Sequence, residues 1–139
     1  MPQHTPTPTP NNSRGEGAHH TPSTRERGAA AEDAALAHLR AAGLVLLARN
    51  YRTPGRGGGE IDLVMRERDG TLVFVEVRQR GSALYGGAGA SIDTAKRKRI
   101  VLAAQHWLAR EAAVPPCRFD AILVQQQHIH WLRGAFEAE

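Results

Sequence analysis

Apolar residues recur along this chain in two rhythms, and the places where one gives way to the other outline its elements. Ala35, Leu36, Leu39 and Ala42 are spaced three and four apart, one stripe of a helix. Ser23, with Glu26 three residues on, has the spacing of a helix start, and Gly43 marks the stop. Leu44 to Arg52 then reads as a first strand, Glu60 to Arg66 as a second and Thr71 to Arg80 as a third. The helical rhythm returns at Ile92, Ile100, Ala103, Ala104, Trp107 and Leu108 and predicts a second helix over Thr94 to Ala112. Ser91 or Asp93 would cap it, and Pro115-Pro116 would end it. Arg118 to Val124 reads as a fourth strand, and His128 to Leu132 as a short fifth at an edge.

Four charged residues interrupt this pattern. Asp62 and Glu76 lie inside otherwise apolar strands. A buried carboxylate without a partner is very costly, so a pair of them points to a site that holds a cation. Their relation depends on the turn. A two-residue Asp69-Gly70 turn pairs Asp62 with Val77 and sends the acids to opposite faces. A three-residue loop, Arg68-Asp69-Gly70 with Gly70 left-handed, pairs Asp62 with Glu76 on one face, roughly 5 Å apart. The sequence permits both. The second is the expected one, because it gathers Asp62, Glu76 and Arg78. Glu32 falls on the apolar stripe of the first helix. Two explanations stand level: it serves a site, or it answers the helix macrodipole near the helix start. Lys96 lies on the stripe of the second helix, either reaching inward or snorkelling over apolar surface.

With 139 residues and 41% apolar content, one domain with a real core is expected. It would span residues 23–139, after a Pro- and Thr-rich disordered tail over residues 1–22. Cys117 is the sole cysteine, which excludes an internal disulfide and a cysteine-based zinc cluster and suits a reducing, cytoplasmic setting. No signal peptide is expected. The longest apolar run, Leu44 to Ala48, is far too short to span a membrane.

Net charge is +4 and nearly cancels before Gly28, so the excess belongs to the folded part. It includes the run Lys96-Arg97-Lys98-Arg99, with Lys96 at the helix stripe and the others expected to fan outward. That run suits a phosphate-bearing partner, and its plain alternative is a solvated helix face. Arg52 and Arg56 flank or sit in the glycine-rich loop Thr53 to Gly59 and can also touch phosphates. The loop is expected to be mobile. It lacks the Gly-Lys-Ser/Thr of a P-loop and precedes no helix, which excludes nucleotide cradling. His128 and His130 lack a third ligand nearby, and Asp120 reads as a local hydrogen-bond acceptor.

Hard carboxylate oxygens suit Mg²⁺, and a metal there would activate water and steady charge on a phosphodiester. With the basic run, the parts make a phosphodiesterase site for nucleic acid. A glycosidase would leave the basic surface unexplained. A serine or cysteine hydrolase would need a nucleophile–histidine spacing that is absent.

As an ordered set, Gly59-Glu60-Ile61-Asp62-Leu63, Phe74-Val75-Glu76-Val77-Arg78-Gln79-Arg80, Lys96 to Ile100 and Arg118-Phe119-Asp120 resemble the YraN-like family. Arg27-Gly28 and Glu32-Asp33-Ala34-Ala35 resemble its N-terminal helix. The family is similar to the restriction-endonuclease-like PD-(D/E)xK nucleases, including Holliday-junction resolvases. The resemblance implies an α/β fold with an αβββαβ core around a mixed sheet. It implies a Mg²⁺- or Mn²⁺-dependent endonuclease acting on DNA, branched or damaged. Asp62 and Glu76 match the motif acids, and Glu32 the helix glutamate that assists the metal. Arg78 stands where the motif has lysine, and arginine is not a general base. The alternative is therefore a non-catalytic nucleic-acid-binding module on the nuclease fold. Resolvase-like relatives pair to address two strands, so a homodimer is an expectation of the resemblance alone.

Overall fold

The computed structural model describes residue 21, residues 23–79 and residues 92–138. Apart from Thr21, the expected tail lies outside these residues, as do the glycine-rich run 81–90 and the candidate cap Ser91. The elements are helix α1 (Thr24–Ala41), strands β1 (Val45–Arg52), β2 (Glu60–Arg66) and β3 (Leu72–Gln79), helix α2 (Thr94–Leu108), and strands β4 (Cys117–Gln125) and β5 (His128–Phe136).

The five strands form one sheet in sequence order, from β1 at one edge to β5 at the other. Neighbours are antiparallel except β3 and β4, which run parallel. A parallel pair needs a crossover, and α2 supplies it. The α/β architecture, a mixed sheet flanked by two helices, agrees with the expected restriction-endonuclease-like core.

The helices pack on opposite faces. Leu36 and Leu39 of α1 join Leu63, Met65, Val73, Val75 and Ile122. Ile100, Ala103 and Trp107 of α2 join Val64, Phe74, Phe119 and Phe136. Each large apolar side chain buried this way is worth roughly 1.5–3 kcal/mol. Both faces of β3 are covered, so its run Leu72–Val75 is continuously apolar rather than alternating.

Helix α1 begins as its sequence implies, with Ser23 Oγ accepting the Glu26 N–H. It ends in a Schellman arrangement: the Gly43 N–H donates to Arg40 O and the Leu44 N–H to Leu39 O, with Gly43 at φ 97°. Leu44 is therefore taken by the helix end, and β1 starts one residue later than expected. Ala42 is the exposed C-cap and not part of the buried stripe.

Two further expectations need correction. Helix α2 stops at Leu108 and not at Ala112. Glu111 is drawn into a turn, its N–H on Leu108 O and its carboxylate on Arg66 and the Trp107 indole N–H. Strand β5 is an edge strand as expected but continues to Phe136, because Gly134, at φ 62°, lets the chain bend and still pair Phe136 with Phe119. Among the described residues, no helix is long and apolar enough to cross a membrane.

Candidate active site

The turn between β2 and β3 decides the site. Glu67 and Thr71 close a three-residue loop, Arg68-Asp69-Gly70: the Glu67 N–H donates to Thr71 O and the Gly70 N–H to Glu67 O. Gly70 is left-handed at φ 92°, and Asp69 Oδ1 accepts the Thr71 N–H. Leu63 consequently pairs with Val75, which sets Asp62 opposite Glu76. The two-residue turn is excluded.

The ladder nevertheless ends at Leu63–Val75, one pair short of the acids. Beyond it the Val77 N–H donates to Asp62 Oδ2 at 2.8 Å, so a carboxylate replaces the partner strand's carbonyl. Ile61 and Val64, three residues apart, both pack in the α2-side cluster, so strict alternation breaks between them. Asp62 fills the fork where β2 and β3 part.

Glu76 is only 3% exposed. Its Oε1 meets Lys96 Nζ at 2.6 Å and Arg78 Nε at 3.6 Å. Lys96 thus reaches inward from the first turn of α2, one of the two alternatives its position allowed. Two features hold the helix in place. Asp93 caps it by accepting the Lys96 N–H. Gly59 at the head of β2 lets the helix approach: an added Cβ would run into the Arg99 carbonyl oxygen and lie 2.6 Å from the Ala103 nitrogen. The contact made by Gly59 is a site feature that its sequence context does not announce.

Burial pushes the Asp62 carboxyl up to about 7, helped by the charge of Glu76 and opposed by the Val77 N–H and Lys96. Glu32 approaches the same residue from α1, on the other face of the sheet. Its carboxyl is raised by burial and then by Asp62, while Arg49 opposes the shift. Arg49 bridges Glu32 at 3.5 Å and Asp33 at 2.7 Å, a role that no local spacing signals. Among the described residues, no three acidic, histidine or cysteine side chains converge tightly enough to hold an ion together. Asp62 and Glu76 line one cleft together, and Glu32 acts on Asp62 from α1.

The acids open into a cleft of about 70 Å³ lined by Glu60, Asp62, Glu76, Lys96, Arg99 and Ile100. Glu60 and Arg99 also wall an adjoining groove of about 340 Å³ along the glycine loop, with Arg52 on its rim. That loop is tied at its neck, where Thr53 and Gly59 exchange hydrogen bonds. Arg52 pairs with Glu60 at 3.4 Å, and Arg56 is exposed within the loop. Lys98 and Arg99 are exposed as expected. Arg97 does not fan outward: it is half-buried, its guanidinium 5.7 Å from the centre of the Phe136 ring.

Away from the cleft, Asp120 is the acceptor expected of it. It takes hydrogen bonds from Arg118 Nε and a terminal guanidinium nitrogen, the Trp131 indole and the Gly134 N–H. His128 and His130 are exposed on the edge strand.

The chain matches the model of the uncharacterised protein family UPF0102 over residues 31–124, a span that contains every candidate site residue above. It is 70% identical over 115 residues to a UPF0102 protein of Acidovorax sp. (strain JS42), covering 83% of this chain and 87% of that one. A UPF0102 protein of Paracidovorax citrulli (strain AAC00-1) is 68% identical over 122 residues, 88% of this chain and 90% of the other. One from Cupriavidus taiwanensis is 59% identical over 118 residues, 85% and 88% of the two chains.

Proposed function

The chain belongs to the UPF0102 family, and we propose that it is a metal-dependent nuclease that hydrolyses phosphodiesters of DNA, branched or damaged. One observation carries this reading: two carboxylates, Asp62 and Glu76, side by side in a cleft whose other charged walls include Lys96 and Arg99. Their oxygens suit Mg²⁺ or Mn²⁺, which take one or two carboxylates with water and substrate phosphate completing the shell. The raised Asp62 carboxyl fits as well, since a cation would offset the burial and then the Glu76 charge that raise it. Bound there, the metal would lower the pKa of water and stabilise charge on the phosphodiester.

The chain's own residues supply the rest. Asp62 and Glu76 hold the ion, and Glu32 adds negative charge behind Asp62. Arg78 brings a guanidinium, so it serves as a fixed cation towards a phosphate and not as a base. Lys98, Arg99, Arg52 and Arg56 hold flanking phosphates along the cleft and the glycine-loop groove.

The test is cleavage of linear, flapped, single-stranded and four-way-junction DNA with Mg²⁺ or Mn²⁺. Wild type is expected to cut at least one form, and Glu76→Ala none. Equal cutting by Glu76→Ala would assign the activity to a contaminant. Arg78, in the place of the motif lysine, favours a second reading, a non-catalytic nucleic-acid-binding module. Salt-dependent binding with no cleavage under either metal would select it.

A further inference from the structure

We propose that Lys96 is a displaceable counter-ion of the acid pair: without metal it is seated on Glu76, and a divalent cation held by Asp62 and Glu76 releases it to bind the substrate phosphate. This rests on the nuclease reading above and names the residue that couples its metal to its substrate.

The argument begins at one atom. Glu76 Oε1 carries Lys96 Nζ at 2.6 Å and Arg78 Nε at 3.6 Å. Two acids, Asp62 and Glu76, thus face two cations, Lys96 and Arg78. A divalent ion taken up by the acid pair sets a double positive charge beside both cations and repels them at short range, which drives one of the two side chains to leave.

They are not equally able to. The Arg78 side chain is 28% exposed and rises from a strand paired along its length with β4, its Nε buried. The Lys96 side chain is 41% exposed and ends a flexible four-carbon stem. Lys96 is the one that leaves, and helix α2 need not move, since Asp93 caps its first turn and Gly59 seats it closely at Arg99 and Ala103. Its destination is also built. Arg99 stands one helical turn along on the same cleft and borders the adjoining groove, so a released Lys96 adds a second cation beside it.

Metal and nucleic acid should therefore help each other bind, each by the same factor. The experiment compares wild type, Lys96→Met, Lys96→Arg and, as a control of equal charge change, Lys98→Met. Mn²⁺ alone is titrated by calorimetry, and binding of a DNA duplex is measured by fluorescence anisotropy with Ca²⁺ or with EDTA. Lys96→Met should bind Mn²⁺ roughly 5-fold more tightly than wild type, or better, with Lys98→Met and Lys96→Arg close to wild type. Ca²⁺ should tighten DNA binding in both proteins, by about 5-fold more in wild type than in Lys96→Met.

Unchanged or weaker Mn²⁺ binding by Lys96→Met, or an equal gain in Lys98→Met, overturns the inference and leaves the nuclease reading standing. Absence of Mn²⁺ binding in every protein overturns both. Should Lys96→Met fail to fold, Lys96→Gln carries the same two readouts.

Discussion

At the scale of single residues, the legible part of the site was the part that broke a pattern. Asp62 and Glu76 stood out as acids in apolar strands, and Lys96 as a base on an apolar stripe; all three line one cleft. Arg49 broke no pattern, and its bridge to Glu32 and Asp33 joins a helix to a strand across a separation that no spacing rule covers. Asp62 also makes a pH prediction. Its carboxyl has an ordinary value of 3.8 and is pushed to about 7 in the fold, mainly by burial. Below the ordinary value both folded and unfolded chains hold the proton. Between the two values only the folded chain holds it, so folding loses stability as pH rises, and above about 7 the loss is complete. Asp62→Asn does not titrate and keeps an oxygen for the Val77 N–H. In metal-free buffer it should match wild type near pH 3.5 and exceed it by on the order of 1–3 kcal/mol at pH 7.5. Melting curves across that range check it, and a gap that shrinks with rising pH would refute the burial argument.

At the scale of elements, hydrophobic rhythm found both helices and all five strands, and it failed where an end is set by a distant partner. Glu111 leaves α2 for Arg66 and Trp107, and Gly134 lets β5 run on by donating to Asp120. The glycines show the same division. Gly70 announced its left-handed turn by following Asp69, whereas the role of Gly59 depends on a helix that arrives some forty positions later. Two alanine substitutions separate these roles. Gly70→Ala meets nothing within 4 Å and should cost only about 1 kcal/mol of backbone strain. Gly59→Ala strikes backbone of α2 and should cost clearly more, about 2–3 kcal/mol, as overpacking does. Urea midpoints decide it, and equal losses would mean that α2 is not seated on β2 as described. Asp120→Ala is more severe. It strips the Trp131 indole and the Gly134 N–H of their acceptor and Arg118 of one of its two carboxylates, an expected loss of about 2–5 kcal/mol. Glu67 still pairs with Arg118 at 3.0 Å, so the loss falls chiefly on the two N–H groups. A denaturant midpoint within error of wild type would show that water satisfies these donors.

At the scale of the whole molecule, net charge alone says little about where a phosphate backbone would lie. A charge of +4 marks a partner class, but much of the basic content is engaged by the chain's own acids and rings. Arg118 serves Glu67 and Asp120, Arg49 serves Glu32 and Asp33, and Arg66 serves Glu111. Arg110 and Arg133 lie over tryptophan rings away from the cleft. By contrast Lys98 and Arg99 are exposed at the start of α2, where Arg99 walls both the cleft and the groove. If a nucleic-acid strand follows that path, binding should weaken with salt, and Lys98→Ala and Arg99→Ala should each lower the slope of log K against log salt by about 1. Arg110→Ala is the control, because it removes the same charge beyond the opposite end of the 15-residue helix, about 17 Å from Arg99 along the axis. Its slope should equal that of wild type while its absolute affinity stays within about 2-fold, as expected of a charge farther away than a Debye length. Equal slopes for Arg99→Ala and Arg110→Ala would mean that the chain attracts polyanions through its overall charge, and the cleft would then lose its claim on the substrate. A reduced slope for Arg99→Ala alone would place the phosphates beside Asp62 and Glu76, where hydrolysis needs them.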